Sequence, residues 1–112
     1  MLLICGGIDM TENNEIIRLK DNLLKSHWPK CNQIADRLFE IGTCEAKMAL
    51  IEGLSGKRHH IRTAVIKNLS KFKDLSLVDI IKPFLNDPAY ETRQQAQEAI
   101  KMVTGEEFYI EG

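Results

Sequence analysis

The feature of this sequence that most constrains its fold is a set of apolar residues that recurs every 31 residues. Four columns share this spacing, and their members are Leu23, Leu54 and Leu85; Ile34, Val65 and Ala96; Leu38, Leu69 and Ile100; and Ile41, Phe72 and Val103. A fixed period of about 20 to 50 residues is typical of a stack of similar supersecondary units. One unit has too little apolar surface to fold alone, so neighbouring units bury that surface together.

The composition limits the chain to one domain of an ordinary kind. The chain has 112 residues, of which 44% are hydrophobic and 28% charged. The net charge of -1 gives no general attraction to nucleic acid or to an anionic membrane. No apolar stretch approaches the roughly 18 residues of a membrane span. Cys5, Cys31 and Cys44 form no CxxC pair, which favours reduced thiols and a cytoplasmic location.

Caps and breaks in the first half of the chain predict alternating helices. Thr11 is a candidate cap for the first helix. Pro29 suits the first turn of the second helix, which should end at Gly42. Thr43 is expected to cap a short third helix that Gly56 stops.

The second half continues the same alternation. A fourth helix is predicted over residues 57–72, and a weak capping box at Ser76 should open the fifth. Pro83 lies inside the fifth helix and predicts a kink there. Asp87 should begin the sixth helix, which ends at Gly105. Since no alternating apolar run indicates a strand, the unit is a helical hairpin of about eleven and about fifteen residues, present three times.

Two terminal segments of the chain lie outside the predicted repeats. Residues 11–105 hold the three hairpins, and residues 1–10 are expected to be an N-terminal extension that is either disordered or caps the stack. Because Met10 resembles a natural start, the preceding residues could also be a misassigned extension. Residues 106–112 are expected to form a C-terminal cap or tail. Phe108 and Ile110 should fold back onto the last hairpin or pack against a second copy, which would give self-association through the repeat ends.

The last unit carries the clearest family pattern, in the turn Asn86-Asp87-Pro88 followed by Arg93. Together with Arg62 and the apolar columns, this pattern resembles a HEAT-like repeat protein of the short type also found in phycobilisome lyases. The resemblance implies an all-α fold, an α-α superhelix (solenoid) of about three HEAT-like helical hairpins. It also implies a structural ladder of hydrogen bonds among Arg62, Asp87 and Arg93. Gly56 stands at the aspartate position of the second unit, and Cys31 at the arginine position of the first.

The sequence offers no catalytic or metal-binding motif. HExxH, GxSxG, P-loop and GxGxxG patterns are absent, and no pair of carboxylates suggests acid–base catalysis. His27, His59 and His60 have no acidic residue at metal-ligand spacing in the sequence, so they are interpreted as surface residues near helix starts. We therefore predict no enzyme, no catalytic residue, no metal site and no cofactor.

The repeat register predicts a binding surface instead. Trp28, His59 and Tyr90 are 31 residues apart and begin successive second helices. They and three following columns are expected to line the concave side of the stack; those columns are Asn32, Thr63 and Gln94; Ala35, Ile66 and Gln97; and Phe39, Ser70 and Lys101. Aromatic side chains are frequent binding anchors. The predicted partner-binding residues are Trp28, Arg58, His59, Thr63, Lys67 and Tyr90.

These residues favour a non-catalytic adaptor or scaffold that binds another protein of partly acidic character. The alternative interpretation is that Trp28 and Tyr90 pack beneath the turns between helices. A lyase-like chaperone for a prosthetic group is implied by the family resemblance alone.

Nucleic-acid binding is the alternative function. Lys57, Arg58, His60 and Arg62 form the densest cationic cluster, which extends through the basic patch of residues 57–73. A helix N-terminus favours anions, so this cluster could hold phosphate. The patch is one helix wide, whereas phosphate binding along a nucleic acid needs several cationic contacts along a track. Protein binding is therefore the preferred prediction.

Overall fold

A computed structural model describes residues 10–105 of the chain, with side chains from residue 14 onwards. The predicted extension before Met10 and the tail with Phe108 and Ile110 lie outside the described residues, and their roles stay predictions. Residues 10–105 are all-helical and contain no strand. None of the helices in this range has the length and apolar character needed to cross a membrane.

Helices follow one another closely along the described range. The α-helices are α1 Met10–Lys25, α2 Lys30–Ile41, α3 Cys44–Gly53, α4 His59–Ser70, α5 Val78–Ile81 and α6 Tyr90–Thr104. Two 3-10 segments, Leu75–Leu77 and Lys82–Asn86, flank α5.

Several predicted helix ends are confirmed. Gly42 ends α2 in the left-handed conformation at φ 70°, and its N–H donates to the carbonyl of Leu38. The Thr43 hydroxyl caps α3 by accepting a hydrogen bond from the backbone N–H of Ala46. Gly105 ends α6 at φ 80°. The predicted cap at Thr11 is wrong, because α1 begins at Met10 and Thr11 lies inside its first turn.

The fifth helix differs from its prediction. Its α-helical part ends at Ile81, and the chain continues as a 3-10 helix that includes Pro83, so the helix changes type where a kink was expected. The predicted capping box at Ser76 is also wrong. Asp74 instead caps the 3-10 segment Leu75–Leu77, since its carboxylate accepts from the backbone N–H of Ser76 at 3.0 Å and from the Ser76 hydroxyl at 2.8 Å.

The packing places α4 at the centre of the molecule. It contacts α2 on one side and α6 on the other, and α3 as well, while α1 packs on α2 and α3. The four apolar columns lie in the resulting core. Leu38, Leu69 and Ile100 are completely buried, and every other column member is buried or packed against the buried cluster.

The central position of α4 also buries residues that were expected on an open surface. Ala35 and Ile66 are completely buried, and Ser70 nearly so. Neighbours on several sides leave α4 little exposed surface, which is why the single apolar stripe predicted for it underestimates its burial.

Backbone geometry recurs with the period of the sequence. The residues before α4 and α6, Arg58 and Ala89, have nearly the same conformation, with φ and ψ of -86° and 129° against -91° and 128°. Gly42 at φ 70° and Lys73 at φ 53° are also one period apart, and both are left-handed. The second hairpin therefore shares the backbone conformation before its second helix with the third hairpin. It shares the left-handed residue after that helix with the first hairpin.

Candidate functional site

An open groove of about 540 Å³ runs along α2, α4 and α6. Its lining side chains are mostly polar and belong to all three helices or to the loop before α2; they are Trp28, Asn32, His60, Thr63, Ala64, Lys67, Glu91, Gln94, Gln95 and Glu98. The groove thus offers an aromatic ring, amides and charges of both signs.

Trp28 is the aromatic side chain of this groove. It is 60% exposed, and its ring lies 6.2 Å from the ring of His60. Tyr90 is 57% exposed, with its ring against the guanidinium of Arg93. The interpretation that Trp28 and Tyr90 are packed beneath turns is therefore wrong, because both side chains are mostly open to solvent.

The structure brings part of the predicted partner-binding set together. Trp28, Thr63 and Lys67 line the groove. Arg58 instead lies beside a separate depression that also includes Lys57. His59 and Tyr90 stand at the starts of α4 and α6 and are not among the lining residues.

Sequence reasoning placed Gln94 on this side of α6 but missed Glu91, Gln95 and Glu98. Glu91, Gln94, Gln95 and Glu98 all face the groove. Their spacing of three and four residues is that of one helix face. This polar stripe, on the opposite side of α6 from Ala96 and Ile100, was a signal that could have found them.

Glu91 also meets two histidines at the start of α4. Its Oε1 atom lies 3.2 Å from Nε2 of His59 and 3.9 Å from Nδ1 of His60. The two imidazole rings are 4.0 Å apart. Glu91 is about one repeat period from both histidines in the sequence, and the packing of α6 on α4 brings the three side chains together. Among the described residues, these three are the group that could hold a metal ion.

Two threonine hydroxyl groups, one of them buried, link the starts of α4 and α6. Thr63 Oγ1 donates to the carbonyl of His59 at 2.8 Å and lies 2.9 Å from Oγ1 of Thr92. Thr92 is completely buried and also points at the His59 carbonyl, at 3.4 Å. Satisfied buried polar contacts of this kind hold a single arrangement of neighbouring elements.

The predicted ladder is confirmed for one pair of side chains. Arg62 Nε and Nη2 donate to the two carboxylate oxygens of Asp87 at 2.8 and 2.9 Å, in a bidentate pair that joins α4 to the turn before α6. Burial by itself raises the pKa of Asp87. The hydrogen bonds from Arg62 and from the backbone N–H of Ala89 outweigh burial, so the pKa lies below its usual value.

Arg93 does not bond to the carboxylate of Asp87 as the ladder predicted. Its Nη1 donates to the backbone carbonyls of Asp87 and Pro88. One period earlier, Nη1 of Arg62 donates to the carbonyls of Gly56 and Lys57 in the same way. Each arginine thus ties its helix to its own preceding turn, and Arg62 also reaches the turn of the next unit.

The basic patch of residues 57–73 is less continuous than its sequence indicates. The Arg62 side chain is 14% exposed and paired with Asp87, and His60 faces the groove beside Glu91. Lys71 lies against Asn68 and within 3.8 Å of Asp36. Lys57 and Arg58 remain as exposed cations at one edge of the cluster.

No protein-family model and no curated protein matches this chain. The case for a function therefore depends on the groove and its residues.

Proposed function

We propose that this chain is a HEAT-like repeat protein, a short α-α solenoid of three helical hairpins that acts as a non-catalytic adaptor. In this proposal the groove along α2, α4 and α6 binds a segment of another protein, and the location is cytoplasmic. The observation that carries the proposal is the exposed Trp28 in a groove lined by polar side chains from three helices.

The repeat assignment is supported by features that recur with the 31-residue period. The contacts of Arg62 and Arg93 with their preceding turns are equivalent, and so are the conformations of Arg58 and Ala89. Side-by-side packing of α2, α4 and α6 is what a stack of hairpins requires.

Protein binding is supported by an exposed aromatic side chain that is not part of the core. A tryptophan that is 60% exposed contributes little to burial, and covering it with a partner would remove a large apolar surface from water. Tryptophan is also among the residues most enriched in binding hot spots. Lys67, Gln94 and Glu98 provide polar contacts around this anchor.

The charges in the groove define the partner more closely. Lys67 favours acidic groups, as expected from the sequence. Glu91 and Glu98 favour cationic ones. We therefore propose a partner segment with an apolar side chain against Trp28, an acidic residue towards Lys67 and a basic residue towards Glu98.

The test is selection of binding peptides from a random displayed library. Trp28 is the single tryptophan of the chain, so its fluorescence reports directly on binding in the groove. For a selected peptide, Trp28→Ala should weaken binding by at least about tenfold, measured by calorimetry. Leu75→Ala is the matched control, because Leu75 is 67% exposed and does not line the groove. Equal affinity for wild type and Trp28→Ala would reject the proposal.

Nucleic-acid binding stays the second candidate, carried by the exposed side chains of Lys57 and Arg58. A gel shift with short duplex DNA and single-stranded RNA separates the two functions. The adaptor proposal predicts no salt-sensitive complex. A complex that is abolished by Lys57→Glu with Arg58→Glu, and unaffected by Trp28→Ala, would favour nucleic acid.

A further inference from the structure

We propose that His59, His60 and Glu91 bind one divalent transition-metal ion of the zinc class at the edge of the groove. The donor atoms of these three side chains all lie within 4.8 Å of one another. This site differs from the peptide-binding groove of the preceding proposal, although His60 and Glu91 border both.

The shortest donor–donor distance in the cluster matches that of a tetrahedral ion. Two ligands that are each 2.0–2.1 Å from zinc in a tetrahedral site lie about 3.3 Å from each other. Nε2 of His59 and Oε1 of Glu91 are already 3.2 Å apart. Nδ1 of His60 is 3.9 Å from the same Oε1 atom, so a small side-chain rotation would bring it to the required distance.

The donor set is also one that zinc prefers. Two imidazoles and one carboxylate form a common three-ligand zinc site, which keeps a fourth position open. The side chains of His59 and His60 are 39% and 41% exposed, so water or a side chain of a bound partner could reach that position.

The backbone that carries these ligands is held in place from beneath. His59 lies at the start of α4 and Glu91 in the first turn of α6. The carbonyl of His59 accepts the Thr63 hydroxyl, which in turn contacts the buried Thr92. A site supported by such contacts needs little reorganisation to bind an ion.

The electrostatics make Glu91 essential. The N-terminal ends of α4 and α6 carry partial positive charge, which opposes a cation. Glu91 is the anionic ligand that offsets this charge. A simple ion pair between Glu91 and protonated histidine is the rival explanation of the geometry, and it predicts no metal binding.

The test is isothermal titration of the full chain with zinc chloride near neutral pH. We expect one ion per chain. Since each of these side chains supplies one bond to the ion, His59→Ala and Glu91→Gln should each weaken zinc binding by at least about tenfold. His27→Ala and Cys44→Ser are matched controls that should leave it unchanged, since both residues are exposed and lie outside the cluster.

A second measurement does not depend on variants that might alter folding. In the wild-type chain, zinc should shift the imidazole NMR signals of His59 and His60 and leave those of His27 in place. Absence of binding would overturn the proposal, and so would binding that survives His59→Ala and Glu91→Gln or that is lost in Cys44→Ser. Peptide binding in the groove is measured without metal, so the two proposals fail separately.

Discussion

The bidentate pair of Arg62 and Asp87 is the residue-scale contact that most directly links two hairpins. Asp87 is 6% exposed and accepts three hydrogen bonds through its carboxylate, two from Arg62 and one from the backbone N–H of Ala89. Asp87 therefore stabilises the turn before α6 and joins this turn to α4.

Replacing Asp87 by asparagine should lower the free energy of unfolding by about 1.5–3 kcal/mol, because it removes charge-assisted hydrogen bonds and leaves the Arg62 charge largely buried. Urea denaturation measures the effect. Asp21→Asn is the control, since Asp21 is exposed on α1 and its replacement should have almost no effect. Equal stability of the two variants would mean that the pair does not link the units.

Acid should destabilise the protein through two carboxylates. The Ser76 hydroxyl, followed by Lys47 and the Ser76 backbone N–H, lowers the pKa of Asp74 from 3.8 to about 2, and the pKa of Asp87 is lowered as well. A lowered folded-state pKa stabilises the fold above the unfolded value and loses that contribution as the pH falls through the folded value.

The free energy of unfolding should therefore decrease as the pH falls from 3.8 towards 2. Urea denaturation across this range provides the measurement. The decrease should be shallower in Asp74→Asn than in wild type. An unchanged slope in Asp74→Asn would contradict the assigned hydrogen bonds.

At the scale of single elements, helix ends were predictable where the cap is local. Gly42, Thr43 and Gly105 act within a few residues of their own positions, so their sequence context contains the cause. Pro83 correctly predicted that the fifth helix is distorted near Ile81. It did not predict that the rest of the segment would be a 3-10 helix. Whether the short segment after a proline is α-helical or 3-10 depends on its packing against α6, which the local sequence does not encode.

Lys73 and Gly42 offer an element-scale test of the repeat geometry. A non-glycine residue in the left-handed region costs about 1–2 kcal/mol, whereas the extra unfolded-state entropy of glycine costs about 0.5–1 kcal/mol. Lys73→Gly, which changes a residue at φ 53°, should therefore stabilise the protein by up to about 1 kcal/mol. Gly42→Ala should destabilise it by about 1 kcal/mol. Thermal unfolding followed by circular dichroism measures both, and a destabilising Lys73→Gly would exclude equivalent turns.

For the whole molecule, the period predicted the core but not every contact between units. The apolar columns are buried as expected, because their members face the same neighbours in each hairpin. Glu91 is 32 residues from His59, one position beyond the period, so the register itself could have indicated that contact. The burial of Ile66 could not be predicted from its own helix, since it results from neighbours on both sides of α4.

Leu69 tests the shared core. It is completely buried in α4, and Leu69→Ala should lower the free energy of unfolding by about 2–5 kcal/mol. Leu75→Ala removes the same atoms from a side chain that is 67% exposed, and its effect should stay within about 0.5 kcal/mol. Chemical denaturation of both variants gives the comparison. A loss below half a kcal/mol for Leu69→Ala would place it outside the core.

We propose above that the groove along α2, α4 and α6 binds a partner segment. A ¹H–¹⁵N NMR titration with a selected peptide maps the contact directly. We expect the largest shifts at the Trp28 indole N–H and at the side-chain amides of Asn32 and Gln94, which line the groove. Shifts confined to the backbone of Lys57 and Arg58, with the Trp28 indole unchanged, would contradict it.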